Sequence, residues 1–293
     1  MKKETIATGL ALFAMFFGAG NLIFPPYLGM ESGELWPAGL AAFVLIDVVL
    51  ACLGIYALNA AGGGEVAFER TIGKVPALIL NTAAILCTGL LIAMPRTAAT
   101  TYEMAIQPNF QGSIALLPFS LVFFAVVLGL TIRESKLVDI IGKLLTPLLV
   151  LGIVTLIITG IVHPLGPVGE PHSSHVIQDG TLAGYQAMDI ICVIGYSIIL
   201  KDSLRSEGID DRKRGLRLIA AASLIAGVLL TLIYGGLTYL GATTGLTFGP
   251  QLNQAELIVA ITYELMGQTG TIILGVVVAL ACVTTAVALV GST

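Results

Sequence analysis

Eight stretches of this sequence are apolar for long enough to cross, as helices, the roughly 30 Å hydrocarbon core of a bilayer. That pattern constrains the fold more than anything else in the chain. The spans are predicted at about 5–28, 37–60, 75–98, 113–132, 138–162, 179–200, 216–240 and 269–291. Of 293 residues, 56% are hydrophobic and only 11% charged, and no long polar stretch leaves room for a soluble domain. The expected class is an all-α integral membrane protein. The first apolar run is too long for a signal peptide and lacks a small-residue cleavage pattern, so it is read as retained. Cys52, Cys87, Cys192 and Cys282 fall in apolar segments without metal-ligand spacing and are read as small buried apolar residues.

The charges alternate from loop to loop. Every Lys and Arg except Arg96 falls before span one or in and beside the connections 2–3, 4–5 and 6–7, with Lys143 and Arg217 just inside the starts of spans five and seven; Lys201, Arg205, Arg212, Lys213, Arg214 and Arg217 cluster at the last. The connections 29–36, 99–112, 163–178 and 241–268 carry none. Cationic loops stay on the cytoplasmic side, which predicts a cytoplasmic N-terminus. On the outer side, Leu257, Ile258, Ile261 and Leu265 follow helical spacing, with Glu256 and Glu264 elsewhere on the surface. A short amphipathic helix there is either a lid or an inert interfacial helix. His163, His172 and His175 lie among prolines without a third ligand and are read as a solvated loop.

Two spans are interrupted. In the first, FFGAGNLIFPP (16–26) places Gly18, Gly20 and Asn21 near mid-run, with Pro25 and Pro26 beyond. Ala7 to Phe17 as helix rises roughly 17 Å, about half the bilayer. Glycine weakens a helix, and the residue before proline is pushed out of the α region. Non-helical backbone at that depth is tolerated only where it lines protein or water, so the break is a candidate ion or substrate site. The other reading is a GxxxG-like packing seam. In span six, Gly184, Tyr185, Gln186 and Asp189 interrupt the apolar run. Asp189 lies roughly 18 Å from the cytoplasmic end as helix. An intramembrane carboxylate is a functional candidate by default; the alternative is an acid that satisfies backbone freed by a break. The two broken spans are five apart, an odd offset, so their helices cross in opposite directions, as an inverted-topology repeat requires.

In span eight, Thr284 and Thr285 share a face with the Ala281 carbonyl and suit a weakly held monovalent cation, unless their hydroxyls simply bond back to the preceding turn. Asp47 sits roughly 15 Å into span two. Arg96 either snorkels to the outer interface or, on a long tilted span, faces a central cavity and meets Asp47 or Glu103.

FFGAGNLIFPP, PRTAATTYE (95–103), GYQAMD (184–189) and ACVTTA (281–286), in this order, resemble the bacterial branched-chain amino acid carrier family, and the likeness covers essentially the whole chain. The resemblance implies a cation symporter for leucine, isoleucine and valine with the LeuT-type fold: two inverted five-helix repeats, broken first and sixth helices, and sodium coupling. Carried over by position, Gly18, Ala19, Gly20 and Asn21 receive the substrate carboxylate, in keeping with the free N–H groups of a half-helix N-terminus. The break in span six, Tyr185 to Asp189, offers carbonyls to the ammonium group, and the side chains of Tyr185, Gln186 and Asp189 help shape the apolar pocket. Carbonyls of Ala14, Phe17 and Ala281 and the hydroxyls of Thr284 and Thr285 hold a sodium ion, the coupling ion rather than a prosthetic group.

The family has about twelve spans and this chain shows eight. Residues 1–163 are therefore expected to form the first repeat and 164–293 an incomplete second one, from a truncated chain or an incomplete sequence. Sodium-coupled import across the bacterial cell membrane is the expected activity. The alternatives are a proton-coupled permease of the same fold acting through Asp189, and a transport-incompetent fragment that binds without accumulating. No Ser/His/Asp arrangement or paired catalytic carboxylate in the spans suggests an enzyme. The partners implied are the amino acid and the lipid bilayer, with no nucleic acid; the oligomeric state is not fixed by the sequence.

Overall fold

The structure, a computed structural model, describes residues 2–110, 113–131, 146–206, 208–209, 211–245, 247–248 and 252–292. Every regular element among the described residues is a helix. α1 (Lys2–Phe16) stops at Phe17 and Gly18, and α2 (Ala19–Ser32) follows. Gly33, at φ 48°, turns the chain through a 3-10 turn, a backbone that glycine adopts without a Cβ penalty. α3 (Trp36–Val44) then runs through a π-helical turn, Leu45–Val49, into α4 (Leu50–Ala60). α5 (Gly64–Ile72) is short and amphipathic. α6 (Lys74–Leu86), α7 (Ala93–Thr101) and α8 (Gln107–Phe110) form one long rod joined by π-helical turns at Cys87–Leu91 and Tyr102–Ile106. After α9 (Leu116–Thr131) and α10 (Thr146–Val162) come α11 (Val176–Ala187), α12 (Asp189–Ser206), α13 (Arg212–Ala242) and α14 (Gln254–Ser292).

Five runs are long and apolar enough to cross a membrane: Ala19–Ala60, Lys74–Phe110, Val176–Arg205, Arg212–Ala242 and Gln254–Val290. Apolar helices at Thr5–Phe16, Leu116–Thr131 and Pro147–Val162 are shorter. The first of the five doubles back at Gly33, because α2 and α3 pack against one another. α14 is likewise two pieces, divided at Gly267 (φ 61°, ψ −156°). Large apolar side chains face outward, among them Leu117 at 72% exposure, Leu224 at 69% and Leu232 at 67%. In water such faces would be left unpaired; a bilayer covers them at no cost.

Several expectations are corrected. The third span, which the sequence allows to extend as a helix towards Met104, continues as far as Phe110. The connection between spans two and three contains α5. Pro25 and Pro26 lie inside α2 rather than interrupting it, and the non-helical backbone of span one is confined to Phe17 and Gly18. The amphipathic segment 254–266 is a helix whose Leu257, Ile258 and Ile261 are fully buried, the first and last against Met30. Residues 138–145 of the fifth predicted span, with Arg133, Lys136 and Lys143, lie outside the described residues.

α13 packs along both α1 and α2, while α14 runs beside α2, α7 and α10. The α2–α13 contact is close enough to need glycine on both sides. A Cβ on Gly29 would lie 1.9 Å from the Thr238 carbonyl oxygen, and one on Gly241 would lie 1.8 Å from that of Pro26. Small residues let helices approach where lipid removes the hydrophobic drive for association. At one end, the cationic 201–217 segment caps α4: Lys201 Nζ donates to the Gly62 carbonyl (2.6 Å) and Arg212 to that of Ala60. Cations at a helix C-terminus oppose its negative dipole end. At the other, the 163–175 loop docks on the α2–α3 turn, with His172 and Ser173 N–H donating to the Glu31 carbonyl (2.9 and 3.1 Å).

Candidate functional site

The break between α1 and α2 is short and closely surrounded. Gly18 is extended (φ −120°, ψ −164°), and its N–H donates to the Asn21 Oδ1 at 3.2 Å instead of closing a helical bond to Ala14. The first N–H groups of α2 therefore stand without intrahelical partners, at the positive end of the helix. A Cβ on Gly18 would lie 2.9 Å from Thr285 Oγ1, and one on Gly20 would lie 2.6 Å from Arg96 Nη2. The glycines are there because α14 and Arg96 approach the backbone.

Asn21 ties four helices together. Its Nδ2 lies 3.1 Å from Asp47 Oδ2, 2.9 Å from Asp189 Oδ2 and 2.5 Å from the Tyr234 hydroxyl. An amide has two hydrogens, so three oxygens cannot each receive one. Both acids are deeply buried, Asp47 at 1% exposure and Asp189 at 5%. Asp47 Oδ1 has no hydrogen-bond partner. Asp47 enters the site from the π-helical turn Leu45–Val49, a local distortion that often accompanies functional positions.

The second break is a single residue. Met188 is left-handed (φ 73°), and Asp189 opens α12, where a carboxylate meets a positive helix end. The last carbonyls of α11 point to Arg96: Nη1 donates to Gln186 O at 2.8 Å and Nη2 to Ala187 O at 3.2 Å. The guanidinium also lies 5.6 Å from the centre of the Phe24 ring. Between the two breaks remains a cavity of about 20 Å³, bounded by Gly18, Gly20, Arg96, Met188, Asp189 and Thr285.

α14 closes the third side. Thr285 Oγ1 lies 3.4 Å from the Phe17 carbonyl, and Thr284 Oγ1 donates to Ala281 O at 2.8 Å. Ala14 lies in the last turn of α1, whose terminal carbonyls lack helical partners. These are neutral oxygens, a donor set that fits a hard monovalent cation.

The structure thus gathers Gly18, Ala19, Gly20, Asn21, Asp189 and Thr285 around one cavity, with Phe17, Ala281 and Thr284 beside it. It does not bring the Tyr185 side chain there: Tyr185 is 57% exposed and lines an outer groove with Leu50, Leu53 and Ile190. Gln186 contributes its carbonyl, while its side chain lines a cleft with Tyr27, Glu31 and Asp179. Of the two readings of Arg96, the cavity-facing one holds, although its hydrogen bonds run to α11 carbonyls. Glu103 lines a separate cavity of about 520 Å³ with Glu256 and Tyr263. Tyr234 was not anticipated, since a tyrosine in an apolar helix carries no distinguishing signal. Asp47 carried one, as an ionisable residue inside an apolar run.

Over residues 1–293 the chain matches the family described as "Branched-chain amino acid transport protein". It is 37% identical to the branched-chain amino acid transport system 2 carrier protein of Pseudomonas aeruginosa, over 98% of this chain and 67% of that protein. It is 36% identical to the branched-chain amino acid permease BraB of Bacillus subtilis (99% and 66%) and 35% identical to the branched-chain amino acid permease BrnQ of Salmonella typhimurium (98% and 66%). The chain spans about two thirds of the length of the curated relatives it matches.

Proposed function

This chain belongs to the branched-chain amino acid transport protein family of bacterial membrane carriers, not to a class of enzymes, and from that premise we propose that it serves sodium-coupled uptake of leucine, isoleucine and valine by alternating access. In this reading it lies in the bacterial inner membrane with the N-terminus and the 201–217 segment cytoplasmic. Residues 1–163 and 164–293 belong to two inverted repeats of a LeuT-type fold.

The observation that carries the proposal is the facing pair of helix breaks at Phe17–Gly18 and Met188, with the Thr285 hydroxyl 3.4 Å from the Phe17 carbonyl. The N–H groups of Ala19, Gly20 and Asn21 receive the substrate carboxylate without a charged side chain. The Gln186 and Ala187 carbonyls receive the ammonium. The Thr284 and Thr285 hydroxyls, with the carbonyls of Ala14, Phe17 and Ala281, hold sodium. Because these oxygens come from both α1 and α14, filling them pins α1 against α14 and keeps the inner path shut. Losing the ion frees α1 to swing. Substrate and ion then favour the same state, which is what coupling requires.

A second reading, coupling to protons, is favoured by the two buried carboxyls that share the Asn21 amide and by the unpartnered Asp47 Oδ1. Two such carboxylates disfavour joint ionisation, so the pair is suited to hold one proton. Leucine binding to the purified chain in lipid nanodiscs separates the readings. Affinity that rises with sodium at fixed pH supports the first. Affinity that follows pH and ignores sodium supports the second, and absence of leucine binding refutes both.

A further inference from the structure

We propose that Arg96 is a tethered occupant of the substrate's place, and that it restricts the site to ligands carrying both an α-ammonium and an α-carboxylate. The inference rests on the reading of the two breaks as an amino acid site.

A cation on the last carbonyls of a helix is a common cap. Arg96 is more than that in three respects. It is donated across the molecule, from the start of α7 to the end of α11, on the two carbonyls that face the second break. It comes so near the first break that a Cβ on Gly20 would lie 2.6 Å from its Nη2. It also occupies the room itself, since the cavity left beside it is about 20 Å³, the space of about one water molecule. A leucine cannot enter while the guanidinium stays where it is. The irregular backbone before α7, with the π-helical turn Cys87–Leu91 and Ile92 at φ −128° and ψ −66°, gives the side chain a base that is not a continuous helix.

When the ligand's ammonium takes the Gln186 and Ala187 carbonyls, the half-buried guanidinium loses both acceptors. An amine alone returns nothing for the two hydrogen bonds lost, and donors left unsatisfied are costly. A zwitterion brings a carboxylate, which the planar guanidinium accepts with two parallel hydrogen bonds. The exchange then balances: one cation replaces another on the carbonyls, and the displaced one gains an anion. The carboxylate is thus shared between the N–H groups of α2 and Arg96, which already lies over Gly20. Discrimination of this kind, set by a buried group left without its partner, is large.

The test is calorimetric titration of the parent chain, Arg96→Gln and Arg96→Lys in nanodiscs with leucine and with 3-methylbutylamine, which is leucine without its carboxylate. The parent should prefer leucine by about 100-fold or more. Arg96→Gln should bind leucine on the order of 10–100-fold more weakly and the amine no more weakly than the parent does, so the preference collapses. Arg96→Lys, a point charge without the fork, should fall between the two. If Arg96→Gln keeps the leucine preference, the guanidinium is only a helix cap and the proposal fails. If Arg96→Gln does not fold, full preference in Arg96→Lys overturns it equally. A parent chain that binds no leucine refutes the amino acid reading of the site itself, an outcome seen before any variant is made.

Discussion

The Asn21 side-chain amide lies 2.9 Å from the Asp189 carboxyl, 168 positions along the chain, and this bond joins the first interrupted span to the second. Neither break can open alone without parting them. Asn21→Ala removes a donor from buried carboxyl oxygens, and leaving such groups unsatisfied costs about 1–3 kcal/mol, more when they are charged. The variant should melt several degrees lower in detergent. A cycle of Asn21→Ala, Asp189→Ala and the double variant should show a coupling of about 0.5–3 kcal/mol, the range for residues in direct contact. Additive effects would mean that the two breaks are held independently.

The α2–α13 crossing supports a stability prediction with its own control. Adding a methyl at Gly241 puts it 1.8 Å from the Pro26 carbonyl oxygen, and Gly29 meets Thr238 in the same way. Backbone cannot move aside as a flexible side chain does, so Gly29→Ala and Gly241→Ala should each cost at least the 1–3 kcal/mol typical of overpacking, roughly several degrees of melting temperature. Gly129→Ala, with nothing within 4 Å of the new atom, should be neutral or slightly stabilising through the better helix propensity of alanine. Equal melting of all three would show that α2 and α13 do not approach as described.

The existence of the two breaks was legible because glycine and a polar residue in mid-membrane are costly unless a cavity uses them. Their extent was not. Pro25 and Pro26 look like part of the interruption, yet the helix restarts at Ala19 and runs through both of them, although an interior proline gives up a helical hydrogen bond. The sequence points to Tyr185 and gives no sign of Tyr234. Spans six and seven are apolar nearly all round, so periodicity does not say which tyrosine faces inward. Arg96 was undecided for a different reason: its depth depends on the path of the rod from Lys74 to Phe110, set by packing against α14 rather than by local sequence. The acids Asp47 and Asp189 were each visible. Their meeting on one amide needed the π-helical turn at Leu45–Val49, which no pattern in the sequence announces.

Orientation can be read by chemical labelling. Arg205 and Glu170 are exposed at opposite ends of the sequence's charge pattern. In whole cells, Glu170→Cys should react with an impermeant maleimide above the background of the unsubstituted chain, while Arg205→Cys should react only after permeabilisation. The reverse pattern would place the N-terminus outside and overturn the assignment based on the basic loops.

Thr285 offers the most direct test of the proposed coupling ion. Its hydroxyl reaches the Phe17 carbonyl from another helix, at 3.4 Å, whereas the Thr284 hydroxyl is already engaged with Ala281 in its own helix. Of the two, Thr285 is therefore the one with a reason to be a threonine that helix geometry alone does not supply. Thr285→Val keeps the shape and removes the oxygen. A hydrogen bond or ligand of charged character is worth about 1.5–3 kcal/mol, so the sodium concentration for half-maximal leucine binding should rise on the order of 10–150-fold, and saturating sodium should restore much of the affinity. Thr284→Val should shift it less, since the bond it loses is made within α14. An unchanged sodium response in Thr285→Val would remove this hydroxyl from the ion site. A loss of leucine affinity that no sodium concentration repairs would place Thr285 on the substrate instead.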